Sequence, residues 1–248
     1  MDHSSHSIHN MNKPSTKFSK ENKSEFLRGL TSSFPIIIGY FPIAISFGVI
    51  TLQSGYSLSF AFLMSLFVYA GASQFMAINM LLMQALGIEI IIATFVLNFR
   101  HFIMSMSLMN KLKSFPTIKK IPLSFMITDE TFAFLSLAKE QDEKNYNLYY
   151  IGGLLIGAYS AWVSGTLAGG LLAMVIPPSI GNSMSMGLYA MFIALLIPAI
   201  RDQWRMGIVA GLSALLCILI TNYINPGWAI VISTLIASFF GSYLIKGE

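Results

Sequence analysis

The sequence predicts an all-α, polytopic membrane helical bundle of about 7–8 membrane segments, some of them broken or re-entrant. Three observations predict it. Of 248 residues, 55% are hydrophobic and only 10% are charged. No Asp, Glu, Lys or Arg occurs over residues 29–88, 148–200 or 206–245, where a soluble fold would need polar outer faces. The apolar runs are also uninterrupted, whereas barrel strands would alternate every second residue. The expected organisation is a disordered cytoplasmic tail over residues 1–28 and a single transmembrane domain over 29–248, with a possible meeting of two halves at 139–147.

The tail has few large apolar side chains to bury and many Ser, Asn and Lys, so it lacks the surface that would order it. His3, His6 and His9 recur every third residue; a solvated tail is the better reading than a metal site. Lys13, Lys17, Lys20, Lys23 and Arg28 precede the first span and put the N-terminus in the cytoplasm by the positive-inside rule. The first span, residues 30–52, carries Pro35, Gly39, Pro42 and Gly48. Each proline removes a backbone donor, so a broken helix is expected here, with exposed backbone around Gly39 and Pro42 as a candidate substrate-binding element. A kinked helix with only a packing role is the alternative.

A second span is expected over residues 58–83. Within it, Ala70-Gly71-Ala72-Ser73-Gln74 sets small residues, which permit close backbone approach, beside an amide that can line a polar cavity. The third span, residues 90–109, holds Asn98, Phe99, Arg100 and His101 near its middle. An arginine at that depth costs about 2.5–3.5 kcal/mol on insertion scales, so it faces a protein interior or an aqueous cavity. Lys111, Lys113, Lys119 and Lys120 follow. Three full crossings from a cytoplasmic N-terminus would leave these lysines outside, so either the rule is broken or one of the first four segments is re-entrant.

Residues 121–138 carry Asp129 and Glu130 midway along a segment barely long enough to cross. At depth, two adjacent carboxylates need a cation nearby, and Arg100 is the obvious one. A surface segment with both acids in water is the alternative. Past the mixed-charge loop, residues 148–176 form a glycine-rich span in which Gly153 and Gly157, and Gly165 and Gly169, stand four apart as close helix packing requires. Further spans are expected at 184–200, 206–221 and 228–245.

Several chemistries are excluded or unsupported. The single cysteine, Cys217, rules out an internal disulfide or cysteine metal cluster. The net charge of +4 flanks the spans and sets orientation; no nucleic-acid partner is expected. The 15 methionines are scattered through apolar runs and read as packing. There is no Walker loop, dinucleotide fingerprint, zinc-type histidine pair or nucleophile elbow, and no cofactor is expected.

Four stretches together resemble one family. They are Gly39-Tyr40-Phe41-Pro42 to Ser46-Phe47-Gly48, Tyr69-Ala70-Gly71-Ala72-Ser73-Gln74-Phe75, Leu97-Asn98-Phe99-Arg100-His101, and Thr128-Asp129-Glu130. The combination is similar to AzlC, the large subunit of bacterial branched-chain amino acid exporters, over roughly residues 29–200. Phe99 departs from the leucine frequent there, without chemical consequence. The resemblance implies a secondary transporter in a bacterial cytoplasmic membrane that exports Leu, Ile and Val, and in some members Met, with a small membrane subunit called AzlD; coupling to protons is expected from His101 and the two acids.

An amino acid is a zwitterion with an apolar tail. Arg100, Asn98, Gln74, Pro42 and Gly39 are then the candidate substrate-binding residues, with Arg100 for the carboxylate. His101, Asp129 and Glu130 are the candidates for proton coupling. Two readings compete with this: a purely structural tie between Arg100 and the acids, and an intramembrane enzyme using Asp129 or Glu130 as acid or base.

Overall fold

The computed structural model describes residues 20–112, 116–137, 147–224 and 226–245. Among them are eleven α-helices and no strand. The helices are α1 (Lys20–Ser32), α2 (Phe34–Gln53), α3 (Leu58–Phe67), α4 (Gly71–Leu82), α5 (Gly87–Lys111), α6 (Thr117–Phe125), α7 (Asp129–Leu137), α8 (Leu148–Leu172), α9 (Pro178–Asp202), α10 (Trp204–Thr221) and α11 (Pro226–Ile245). The all-α bundle expected from the sequence is what forms. α2, α5, α8 and α10 are each long and apolar enough to cross a bilayer. His3, His6, His9, Lys113 and most of the 139–147 boundary lie outside the described residues.

The organising element is α8, which packs against α1, α2 and α3. Its glycines explain how. A Cβ at Gly153 would strike the Phe26 carbonyl oxygen, and one at Gly157 would strike Ser33 Oγ, so these two seat α1. A Cβ at Gly165 would lie 2.7 Å from Ala44 Cβ, and one at Gly169 would meet the Ile45 carbonyl oxygen, so the second pair seats α2. The spacing of four puts each pair on one face, as expected. Gln53 at the end of α2 then donates to the carbonyls of Ala173 (3.2 Å) and Ile176 (2.9 Å) beyond the end of α8.

Three expectations need correction. The tail gives way to helix before residue 28: Lys20 to Arg28 belong to α1, because Gly29 and Phe26 lie against α8 and Arg28 sits 4.8 Å over the Tyr150 ring. The first span is continuous through Pro42. The carbonyl that Pro42 orphans, one turn earlier, is at Ile38 on an exposed face, and burial of the opposite face against α8 holds the helix together. The interruption falls instead just before Pro35, which starts α2 where its missing N–H costs nothing.

The span expected to be whole is the broken one. Residues 58–83 divide into α3 and α4 around Val68 to Ala70, with Tyr69 at φ +43°. A second break at Met126 to Thr128 divides α6 from α7. Both α4 and α7 therefore begin inside the molecule, and their N-termini frame the site.

Candidate functional site

Four elements bring side chains to one cavity. α5 supplies Arg100 and His101, the start of α7 supplies Asp129 and Glu130, α2 supplies Tyr40, and α8 supplies Trp162. The α3–α4 break completes the lining with Tyr69, Ala70, Gly71 and Ala72. The free volume is about 20 Å³, above the roughly 10–15 Å³ that one water needs and far below what an amino acid occupies.

Arg100 Nη2 and Asp129 Oδ2 form an ion pair at 3.0 Å, with side chains 31% and 21% exposed. Tyr40's hydroxyl is hydrogen-bonded to Thr128 Oγ1 at 2.6 Å and donates to Glu130 Oε2. The backbone N–H of Thr128 donates to Thr131 Oγ1 (2.9 Å), which closes the first turn of α7. Both acids stand in that first turn, where the positive end of the helix favours carboxylates. His101 Nδ1 lies 3.3 Å from the Asn98 carbonyl oxygen. A carbonyl can only accept, so in this contact Nδ1 is the donor.

Beside this charged cavity lies an open groove of about 460 Å³ that shares Tyr69, Ala70 and His101 with it and whose Phe102, Ile121 and Phe125 are exposed. Its wall includes Asn98, Ser105 and Ser124 among apolar side chains from α5 and the α6 region. Two buried polar atoms near it have no hydrogen-bond partner among the described residues, the Tyr69 hydroxyl and Asn98 Oδ1.

The structure thus brings together Arg100, His101, Asp129 and Glu130, and puts Asn98 on the adjoining groove. Gln74 is elsewhere. It is fully buried, donates to Ser65 Oγ (3.1 Å) and accepts from Trp162 Nε1 (3.0 Å), so it braces α3, α4 and α8 below the site. Gly39 and Pro42 face outward on α2; both are exposed, and a Cβ at Gly39 would meet nothing within 4 Å. They line neither the cavity nor the groove, because α2 stays helical and turns Tyr40 inward instead. Tyr40, Tyr69 and Thr128 stand in the stretches that carry the family resemblance but were not expected as site residues, and Trp162 stands outside them.

Charged side chains enclosed between interrupted apolar helices define a multi-pass integral membrane protein with a polar interior site. The chain belongs to the AzlC protein family, whose sequence profile matches residues 35–176. It is 36% identical over 205 residues to an uncharacterized membrane protein of Archaeoglobus fulgidus, covering 82% of this chain and 88% of that one. It is 29% identical to the inner membrane protein YgaZ of Escherichia coli, covering 75% of this chain and 78% of YgaZ. It is 25% identical to the branched-chain amino acid transport protein AzlC of Bacillus subtilis, covering 82% and 79%. No solved structure matches the chain.

Proposed function

We propose that this protein is a secondary transporter that exports branched-chain amino acids across the bacterial cytoplasmic membrane in exchange for protons, with its N-terminus cytoplasmic and a small membrane subunit as partner. The observation that carries the reading is the enclosed network of Arg100, Asp129, Glu130, Tyr40 and His101 at the mouths of two broken helices. Such broken helices expose polar backbone only where it lines a cavity. The name of the Bacillus subtilis relative supports the substrate class.

In this reading the network carries the coupling proton. Asp129 is compensated by Arg100, and Glu130, held by the neutral Tyr40 hydroxyl, is in this reading the acid whose proton is gained and lost. Tyr40 holds it in place in either state. The magnitudes suffice: a proton crossing 100 mV releases about 2.3 kcal/mol, against about 1.4 kcal/mol for a tenfold concentration gradient.

The test is counterflow of labelled leucine in proteoliposomes, with the chain alone and with its small subunit. Saturable counterflow is expected, together with acidification of the lumen as preloaded leucine leaves in exchange for entering protons. Absence of counterflow under both conditions would overturn the reading, and turnover of leucine to a new product in detergent would favour an enzyme.

A further inference from the structure

α2 and α8 run side by side in the same direction and so measure depth for everything packed on them. Their contacts keep order along both chains: Gly153 meets Phe26, Gly157 meets Ser33, Gly165 meets Ala44 and Gly169 meets Ile45. Both helices therefore enter the membrane from one face, the near face where α1 lies, and leave at the far face, where Gln53 bonds the carbonyl of Ile176. The chain between them has to cross an odd number of times. It holds three candidates: α3 with α4, α5, and α6 with α7.

α3 runs inward from the far face. Leu58 at its start meets Gly170, and Ser65 near its end shares a hydrogen bond of 2.7 Å with Thr166. α4 then turns back. Gly71 touches the Trp162 ring, which Tyr40 also meets at 5.4 Å, so α4 begins at the level of Tyr40. One turn on, Phe75 meets Phe47 at 5.5 Å, about two turns nearer the far end of α2. Gln74 donates to Ser65 Oγ at 3.1 Å and ties the two arms together. α5 starts where α4 ends, packs Ala93 beside Met80, passes the cavity at Arg100 and runs on to Lys111. Its 25 residues extend about 37 Å, enough for a full crossing.

α6 comes back from the near face against α5, since Ser105 Oγ donates to the Ser124 carbonyl at 3.2 Å. It stops at the cavity, where Thr128 meets Tyr40 and Asp129 meets Arg100. α7 has to return to the near face, because α8 starts there at Leu148. An α7 that ran on to the far face would leave a return of about 35 Å, the whole extended reach of the intervening chain. It would also draw Lys139, Glu140, Asp142, Glu143 and Lys144 through the apolar layer.

We infer that α3–α4 and α6–α7 are re-entrant hairpins that enter the membrane from opposite faces and close the charged cavity tip to tip, as its two gates. Residues of both tips, Tyr69 to Ala72 and Thr128 to Glu130, line that cavity. α2 with its hairpin and α5 with its hairpin are then two units of one build and opposite orientation, the plan on which alternating access works. Charge supports this path independently. With α9, α10 and α11 crossing once each, every Lys and Arg except Arg100 falls toward the near face, as the positive-inside rule asks of a cytoplasmic one. Full crossings by both broken segments would instead strand Lys111, Lys113, Lys119 and Lys120 at the far face. The side assignments stand apart from function; the gating role rests on the transport reading above.

Cysteine labelling tests both halves. Cys217→Ser removes the only cysteine, and Lys20→Cys, Met83→Cys and Lys119→Cys, at exposed positions, are introduced singly. A membrane-impermeant maleimide should label Met83→Cys in intact cells, and Lys20→Cys and Lys119→Cys only after permeabilisation. Met83→Cys on the same face as Lys20→Cys, or Lys119→Cys on the opposite one, would overturn the hairpins. For gating, Ala72→Cys and Thr128→Cys, one on each tip, should react with a small methanethiosulfonate both in intact cells and in inverted vesicles. Reaction from one face only, or from neither, would make the tips a fixed plug and overturn the gates. If leucine counterflow fails while the labelling pattern holds, the transport reading falls and the two hairpins remain.

Discussion

Arg100 and Asp129 are an ion pair that neither partner can leave without cost. With about a fifth to a third of each side chain exposed, the pair is partly shielded from water. Removing one partner should cost on the order of 2 kcal/mol, less than the 3–5 kcal/mol of a fully buried pair. Asp129→Asn should therefore lower the unfolding temperature in detergent, and adding Arg100→Gln should restore part of the loss by removing the uncompensated charge. Additive losses in the double variant would show that the two do not stabilise each other. Tyr40→Phe should cost about 1.5–3 kcal/mol, because Glu130 loses a charge-assisted hydrogen bond; chemical denaturation would read it.

The charged half of the site was legible in the sequence, since an arginine and two acids inside apolar runs have few places to go except toward one another. The aromatic half was not. Tyr40, Tyr69 and Trp162 look like any packing residues in an apolar helix, and only their positions in space give them polar roles. Gln74 deceived for the opposite reason. Its amide is polar enough to suggest a lining role, but Ser65 and Trp162 consume it.

Helices ending inside the molecule give this fold its site. Prolines marked the wrong break: Pro42 is tolerated within α2 because packing on α8 outweighs one lost backbone bond, whereas the break at Tyr69 carries no proline and follows from tertiary contacts that a local pattern cannot reveal. The glycine seam was legible, because spacing of four has a single geometric meaning on a helix. It gives a sharp prediction. Gly169→Ala would drive a methyl into the Ile45 carbonyl, with Ile45 Cα and C both at 2.7 Å, and backbone cannot yield as a side-chain end can. A loss of about 1–3 kcal/mol or more is expected, seen as a lower unfolding temperature in detergent. Gly152→Ala, where nothing lies within 4 Å, should be neutral. Equal effects of the two would refute the seam.

For the molecule as a whole, the membrane decides what counts as interior. α10 has no buried residue among the described ones, and α5 presents Phe95, Phe99 and Phe102 outward, as surfaces meant for lipid or for a small subunit do. Against that apolar exterior, the cavity between α4, α5 and α7 is where charge gathers, and the proposed coupling of transport to protons requires Glu130 to change its state there. The most direct test is leucine flux in proteoliposomes under an imposed pH gradient, comparing wild type with Glu130→Gln at equal incorporation. Wild-type flux should respond to the gradient, while the variant should still exchange leucine for leucine but ignore the gradient. A variant that follows the gradient as the wild type does would contradict the account.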